Sequence, residues 1–265
     1  MSDYGEFTAA IAREAGALLK QRFHGTHTID YKGEIDLVTE ADRMSEELLI
    51  ARIRHAYPHH DILAEESAGT STGADYRWII DPLDGTTNYA HGFPVFCVSI
   101  ALELKGAVVI GAVYDPMLDE LFLAERGGGA FLNDDVISIS PTEDIARGLL
   151  ATGFPYDIRE KPDNNINYFN GMALKAQAIR RAGSAAIDLA YVAAGRFDGF
   201  WELKLRPWDT AAGWLLVEEA GGRVTNLSGQ PYSLNAPSIL ASNGYLHDSI
   251  RTILAGIDPL DSRLV

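Results

Sequence analysis

The stretch from Trp78 to Pro94 constrains this chain more than any other part of it. It reads W-I-I-D-P-L-D-G-T-T-N-Y-A-H-G-F-P. The three apolar residues at its start predict a short buried strand, and Pro82 predicts that this strand ends at once, because proline has no amide hydrogen to give to a sheet. Gly85 followed by Thr86 then predicts a tight turn that runs into the start of a helix.

Two acids, Asp81 and Asp84, lie at the exit of the predicted strand. The exposed amides of a helix start carry partial positive charge and suit a phosphate group. Two carboxylates beside them would repel that phosphate unless a divalent cation lay between. The stretch therefore predicts a metal and a phosphate bound together. An ordinary turn is the alternative, because Asp, Pro and Gly all favour turns.

Composition limits the classes of partner. A net charge of −15 argues against nucleic acid or an anionic membrane as the main partner. An anionic substrate would then need a local positive centre, which bound cations provide. The single cysteine, Cys97, excludes an internal disulfide and fits a reducing compartment. Its neighbours Val95, Phe96 and Val98 indicate a small core residue rather than a nucleophile.

The N-terminus lacks a basic segment followed by an apolar run, so we expect no signal peptide. No window approaches the ~20 uninterrupted apolar residues that a transmembrane helix needs. We therefore expect a cytoplasmic protein.

The pattern of elements changes near residue 145. Residues 1–145 predict two helices, at 6–22 and 39–56, and then a strand series that forms an antiparallel sheet, with a turn rather than a phosphate site at 127–129. Residues 146–265 alternate strands with helices, and the helices are expected at 163–176, 184–194, 209–221 and 243–255. An α+β half followed by an α/β half is therefore expected, tightly packed because no linker separates them.

The residues from Asp81 to Pro94 closely resemble the first sequence motif of the inositol monophosphatase family. The stretch Trp208 to Gly222, W-D-T-A-A-G-W-L-L-V-E-E-A-G-G, resembles the second motif of that family. The resemblance covers nearly the whole chain. It implies a layered α-β-α-β-α sandwich of the inositol monophosphatase and fructose-1,6-bisphosphatase type, a homodimer, and a lithium-sensitive, Mg²⁺-dependent phosphatase acting on small phosphomonoesters.

Four acids fall at the ends of predicted elements, and each has a plain structural explanation. Glu65 ends a short strand, where acids are commonplace, and Asp209 suits a helix N-cap. If both instead face Asp81 and Asp84, they form an all-oxygen site, which selects Mg²⁺ over zinc or copper. Two such ions would hold the attacking and leaving oxygens of an in-line displacement.

The resemblance implies a role for each metal ligand. Glu65, Asp81 and the carbonyl of Leu83 would hold one Mg²⁺, and Asp81, Asp84 and Asp209 would hold another, with two or three ions in all. The first ion would activate the attacking water, and the second would stabilise the leaving alkoxide.

The resemblance also implies how water and phosphate are held. Thr86 and Asp42 would form a hydrogen-bonded pair that orients the water and helps to deprotonate it, although Asp42 also fits a helix-capping box. The amides of Gly85 and Thr86 would receive phosphate oxygens. Glu66 and Lys32 would lie just outside the ligands.

The substrate contacts implied by the resemblance fall in the second half. Gly183, Ser184 and Ala185 match a helix start that contacts the sugar-like ring. Glu202 matches an acid that accepts hydrogen bonds from ring hydroxyls, for which a carboxylate is suited because it accepts two at once. An exposed acid at a strand end is the alternative explanation for Glu202.

Inositol 1-phosphate is the substrate that this reasoning favours. Fructose 1,6-bisphosphate, histidinol phosphate and a nucleotide 3′-phosphate are alternatives with the same chemistry. A regulatory binding protein that keeps the fold is an alternative from another class. A calcium-binding module is a further one, although the chain has no D-x-D-x-D-G loop.

Overall fold

A computed structural model of the chain describes residues 2–25, 29–31, 37–67, 69 and 71–258. The helices within these ranges are α1 (Asp3–Arg22), α2 (Glu40–Ala56), α3 (Thr86–Ala90), α4 (Ile166–Ala173), α5 (Ala185–Ala193), α6 (Pro207–Glu219) and α7 (His247–Ala255). The strands are β1 (Ile29–Tyr31), β2 (Leu37–Thr39), β3 (Asp61–Ala64), β4 (Tyr76–Asp84), β5 (Cys97–Leu104), β6 (Ala107–Asp115), β7 (Glu120–Glu125), β8 (Gly129–Leu132), β9 (Asp135–Val136), β10 (Leu149–Thr152), β11 (Ala178–Arg180), β12 (Gly199–Leu203), β13 (Arg223–Thr225) and β14 (Ser238–Ser242).

Two large sheets organise the chain. The first has seven strands in the order β3-β4-β5-β6-β7-β8-β9. All its neighbours run antiparallel except β3, which is parallel to β4. The second has five strands in the order β11-β10-β12-β14-β13, with β10 parallel to both of its neighbours. The predicted antiparallel meander is thus confirmed in the first sheet.

Alternation along β4 explains how the layers form. Side chains of a strand point to opposite faces in turn. Ile79 packs into the core that contains α5 and α6, whereas Trp78 and Ile80 pack into the core that contains α1 and α2. Because residues 78–80 are buried on both faces of the sheet, this part of β4 is an uninterrupted apolar run.

A third core covers the outer face of the five-stranded sheet, where Met172 of α4 and Ile250 of α7 meet Trp201 of β12. The layers are therefore α1 and α2, the seven-stranded sheet, α5 and α6, the five-stranded sheet, and α4 and α7. The predicted α-β-α-β-α sandwich is confirmed. Of the described helices, none combines the length and apolarity needed to span a bilayer.

Several element ends differ from the prediction. Strand β4 continues through Pro82 instead of ending there. The pairing with β5 shifts register between Asp81 and Asp84, so no hydrogen bond to β5 requires the amide hydrogen that proline lacks. Helix α4 starts later than predicted, since Asn165 has a left-handed φ of 74°. The sequence also predicts a strand at 136–140, whereas β9 covers only Asp135–Val136.

The start of the last helix also differs from the prediction, whereas a glycine-rich segment agrees with it. Helix α7 begins at His247 rather than at 243, because the side chain of Asn243 bonds to Ser140 and to the carbonyl of Thr142. The segment 127–129 joins β7 to β8 with positive φ at Gly127 and Gly129, so the predicted turn is confirmed.

Candidate active site

The exit of β4 carries two acids on what would be opposite faces of a regular strand, because they are three residues apart. The register shift at this point removes the conflict. The amide of Leu83 folds back and donates to Asp81 Oδ1 at 3.0 Å. The carboxylates of Asp81 and Asp84 therefore repel each other, and the charge of Asp84 raises the pKa of Asp81.

Gly85 turns the chain from β4 into α3. Its φ is +97°, and a Cβ there would lie 2.9 Å from the carbonyl oxygen of Val95. Both facts demand glycine, since other residues rarely adopt this conformation. Helix α3 then begins at Thr86, so the predicted turn into a helix is confirmed.

Thr86 and Asp42 are joined by a hydrogen bond, in which Thr86 Oγ1 lies 2.9 Å from Asp42 Oδ1. The same hydroxyl lies 3.0 Å from the carbonyl oxygen of Leu83. The other oxygen of Asp42 accepts from the amide and the hydroxyl of Thr39 at 2.8 and 2.6 Å, which is the predicted capping box. Burial raises the pKa of Asp42, against these hydrogen bonds. One carboxylate thus caps α2 and holds Thr86.

The two strands that flank β4 determine where Glu65 and Asp209 lie. Strand β3 is parallel to β4 and pairs Ala64 with Ile80, so Glu65 leaves the sheet beside Asp81. On the other side Ser99 of β5 pairs with Asp81. The hydroxyl of Ser99 donates to the carbonyl of Trp208 at 3.2 Å, which fixes the start of α6 at this edge.

Asp209 is the third residue of α6 rather than its N-cap, because the helix begins at Pro207 and Arg206 is the N-cap residue. Asp209 Oδ2 accepts from the amide of Arg206 at 2.6 Å, so the side chain still stabilises the start of the helix. Burial raises the pKa of Asp209 well above its ordinary value, and Asp84, Glu65 and Glu202 raise it further. Burial likewise raises the pKa of Asp81 well above its ordinary value, with Glu65 the strongest of the acids that add to it.

Asp84 bridges β4 to the start of α5. Its Oδ2 accepts from Ser184 Oγ and from the amide of Ala186, each at 2.7 Å. Burial raises the pKa of Asp84, and these donors oppose the shift. Gly183 precedes them with a φ of +88°. The predicted ring-contacting triplet 183–185 thus lies against the first motif.

Glu202 lies on β12 with 7% of its surface exposed, so the alternative of an exposed strand-end acid is wrong. Its carboxylate packs against Gly153, where a Cβ would lie 2.3 Å from both oxygens. Burial raises the pKa of Glu202 to about 8, with Arg181 opposing the shift and Asp84 adding to it. Glu202 is therefore a buried acid facing the other acids.

Two residues, Glu66 and Lys32, were predicted to lie just outside the metal ligands. Glu66 lies beside Glu65, and its amide donates to Glu46 Oε2 at 2.8 Å. Lys32 lies outside the described residues. Sequence reasoning missed Asn88, whose Nδ2 donates to the carbonyls of Val95 and Ala182 at 2.7 and 2.8 Å and so joins α3 to the turn before α5.

Sequence reasoning also missed Asp188. It is a single acid in the otherwise apolar helix A-A-I-D-L-A-Y-V-A, and it is 1% exposed. An acid in the middle of a helix that is apolar all round was the available signal.

The donor set fits a hard divalent cation. The carboxylates of Glu65, Asp84 and Asp209 all act on Asp81, and each disfavours ionisation of the others. Oxygen donors with uncompensated negative charge are the ligands of Mg²⁺. Across the described residues, no three His, Cys, Asp or Glu side chains stand in a ready-made metal-holding arrangement. The fit therefore rests on donor chemistry and on the charge of the cluster.

Comparisons with known proteins extend over the whole chain. The model of the Inositol monophosphatase family matches residues 2–258. The protein named Nus factor SuhB of Pseudomonas aeruginosa is 46% identical over 239 residues, which cover 88% of each chain. The Inositol-1-monophosphatase of Mesorhizobium japonicum is 42% identical over 257 residues, which cover 95% of each chain. The structure of inositol monophosphatase from Anabaena (Nostoc) matches with a TM-score of 0.90 and 44% identity, over 98% of each chain.

Proposed function

This chain belongs to the inositol monophosphatase family, and we propose that it hydrolyses inositol 1-phosphate to inositol and phosphate in a Mg²⁺-dependent reaction. That it is a phosphatase follows from the family. One observation supports the Mg²⁺-dependent reaction in particular. The charges of Glu65, Asp84 and Asp209 all raise the pKa of the buried Asp81, and a hydrogen-bonded Thr86–Asp42 pair belongs to the same site.

The proposed ligands follow from that cluster. Glu65, Asp81 and the carbonyl of Leu83 would hold one Mg²⁺, and Asp81, Asp84 and Asp209 would hold a second, with two or three ions in all. When bound there, Mg²⁺ supplies positive charge that attracts the phosphate, lowers the pKa of a water and stabilises a leaving alkoxide. The mutual repulsion of these acids supports the assignment, because a divalent cation removes it.

Thr86 would orient the attacking water. Its hydroxyl donates its one hydrogen to Asp42 or to the Leu83 carbonyl, which leaves lone pairs of Oγ1 to accept a hydrogen from the water. Asp42 would then take the proton through Thr86, and its raised pKa favours this. The amides of Gly85 and Thr86, at the turn into α3, would receive phosphate oxygens.

The substrate ring would lie between the start of α5 and Glu202. Gly183, Ser184 and Ala185 would contact the ring, since Ser184 already bonds to Asp84. Glu202 would accept hydrogen bonds from ring hydroxyls, and its burial makes such bonds strong. Fructose 1,6-bisphosphate, histidinol phosphate and nucleotide 3′-phosphates remain the alternatives within the same chemistry.

The remaining proposals concern the setting of the enzyme. We propose that the protein is a homodimer, which the family resemblance supports. We also propose that it is cytoplasmic, which a single, buried cysteine supports. The net charge of −15 supports a small-molecule partner rather than nucleic acid or membrane. Nus factor SuhB is the name of one relative. A regulatory role for this chain is not favoured, because an unneeded cluster of buried acids would destabilise the fold.

A phosphate-release screen tests the proposal. The panel comprises inositol 1-phosphate, fructose 1,6-bisphosphate, histidinol phosphate, a nucleotide 3′-phosphate and an aryl phosphate, each with Mg²⁺ and with EDTA. We expect Mg²⁺-dependent release with the highest kcat/KM for inositol 1-phosphate. A higher kcat/KM for another member would replace the substrate, and no Mg²⁺-dependent release from any member would refute the metal proposal.

A further inference from the structure

Three parallel strands bring an arginine to the same end of the second sheet as Glu202. Strand β10 is parallel to both β11 and β12, and Ala151 of β10 pairs with Arg180 on one side and with Phe200 on the other. Arg181 and Glu202 follow these paired positions, so both lie at the carboxyl ends of their strands with only β10 between them. Ligands of sheets with parallel strands bind beyond the carboxyl ends.

A glycine at the end of β10 leaves the space between the two side chains open. Gly153 follows the last residue of β10, and a Cβ there would lie 2.3 Å from both carboxylate oxygens of Glu202. The carboxylate therefore extends from β12 across β10, towards β11. It accepts no hydrogen bond from another residue in the part of the chain that the structure describes.

The guanidinium of Arg181 lies beside the turn that leads into α5. Gly183 has a φ of +88°, and a Cβ on this residue would lie 3.0 Å from Arg181 Nη1. The next residue, Ser184, donates to Asp84 Oδ2 at 2.7 Å. A short series of contacts thus leads from the acid cluster to the guanidinium.

Arg181 has no partner of its own. It is exposed, and it forms no ion pair and no side-chain hydrogen bond with any other described residue. Other arginines of this acidic chain pair with carboxylates, as Arg196 does with Glu120. The charge of Arg181 nevertheless opposes the rise that burial causes in the pKa of Glu202. A cation and an anion that face each other without forming an ion pair leave room for a polar ligand between them.

We propose that Arg181 is a substrate-binding residue that acts together with Glu202: its N–H groups donate to the oxygen of a ring hydroxyl whose hydrogen is donated to the Glu202 carboxylate. This inference deepens the proposed function and rests on it. A hydroxyl group has one hydrogen and two lone pairs, so an acceptor on one side and a donor on the other satisfy it. A guanidinium also suits a second phosphate group, but the carboxylate of Glu202 on the opposite side would repel it.

Two adjacent arginines provide a variant and its matched control. Arg181→Gln removes the charge and the planar group of N–H donors beside Gly183. Arg180→Gln removes the same charge one residue earlier, where the guanidinium donates to the carbonyl of Ile179 at 3.4 Å. Both arginines are exposed, so both variants should fold and should keep the melting temperature of the wild type.

The first experiment compares inositol 1-phosphate with cyclohexyl phosphate, which has the same six-membered ring without hydroxyls, at saturating Mg²⁺. We expect Arg181→Gln to lower kcat/KM for inositol 1-phosphate about tenfold or more, mainly through KM, because a charge-assisted hydrogen bond is lost. Cyclohexyl phosphate should change less than about threefold, and so should both substrates in Arg180→Gln. Equal losses on the two substrates would overturn the inference, since Arg181 would then act on the phosphate. An unchanged kcat/KM, or an equal loss in Arg180→Gln, would also overturn it.

The second experiment measures binding without turnover. Phenylglyoxal modifies arginine side chains, and mass spectrometry distinguishes Arg181 from Arg180. In the presence of Mg²⁺, inositol together with inorganic phosphate should slow the modification of Arg181, whereas phosphate alone should not, and the modification of Arg180 should not change. Protection of Arg181 by phosphate alone would show that it binds an anion and would overturn the inference. Absence of protection by either mixture would overturn it too.

The two proposals fail in different ways. A wild-type enzyme without Mg²⁺-dependent phosphate release would refute the proposed function, and this inference with it. An active wild type with an Arg181→Gln variant that shows no selective loss would overturn this inference alone. If the screen identifies a different polyol phosphate, both experiments use that ester, its free polyol and its counterpart without hydroxyls.

Discussion

Asn88 holds the two parts of the site together, and its removal has a calculable effect. Its side-chain amide donates to the carbonyl of Val95 at 2.7 Å and to the carbonyl of Ala182 at 2.8 Å. Ala182 precedes the Gly183 turn, from which Ser184 reaches Asp84. Asn88 therefore fixes the distance between α3 and the start of α5.

The magnitude follows from the bonds that are lost. Each typical hydrogen bond contributes about 0.5–1.5 kcal/mol net, so Asn88→Ala should lower the free energy of unfolding by about 2–3 kcal/mol, including the cost of two half-buried carbonyls left without a donor. Asn88→Asp should lower it further, because a carboxylate would face the carbonyl oxygens of Val95 and Ala182. The expected order of stability is wild type, Asn88→Ala, Asn88→Asp.

Urea unfolding in EDTA measures this order without stabilisation by bound metal. Phosphate release should also fall in both variants, since Asp84 loses the fixed position of its donors on α5. The matched control is Asn226→Ala, which removes two hydrogen bonds in an exposed turn far from the acids and should leave activity unchanged. A wild-type urea midpoint for Asn88→Ala, or greater stability of Asn88→Asp than of Asn88→Ala, would refute the reasoning.

Three further predictions concern the charged groups. Asp84→Asn should lower phosphate release about a hundredfold or more at saturating Mg²⁺. The protein should stay folded, because the amide oxygen can still accept from Ser184 and Ala186. Near-normal activity would contradict the ligand assignment. Li⁺ should inhibit phosphate release, because a monovalent ion cannot match the charge of Mg²⁺, and activity that is insensitive to Li⁺ at low Mg²⁺ would count against the inositol substrate. Burial lowers the pKa of His247 from 6.5 to about 4, so the unfolded state binds the extra proton first, and stability should fall as the pH drops from about 6.5 towards 4, by at most about 1.4 kcal/mol per pH unit. Urea midpoints across this range should depend less on pH in His247→Asn than in the wild type; equal slopes would exclude His247 as the cause.

The sequence alone determined the local structure around the first motif. The apolar run before Asp81 predicts β4, and Gly85 predicts the turn, because only glycine adopts the required φ beside the Val95 carbonyl. Residue types also predicted the kind of chemistry, since a set of acids without histidine or thiolate selects a hard cation. These properties depend on neighbours along the chain, so the sequence contains them directly.

The tertiary structure decided which acids meet. Glu65 lies beside Asp81 only because β3 pairs in parallel with β4 in one register. Asp209 comes from a helix far along the chain, fixed at the same edge through the Ser99 hydroxyl. Neither the register of a parallel pair nor the packing of a helix across a sheet follows from local pattern.

Burial was the other property that only the tertiary structure decided. Glu202 reads as an ordinary acid at a strand end, yet Gly153 and α5 enclose it. Asp188 reads as one acid on a helix, yet the two sheets bury that helix on all sides. Burial is set by residues distant in sequence, and it changes the pKa and the hydrogen bonding of an acid more than its neighbours in the chain do.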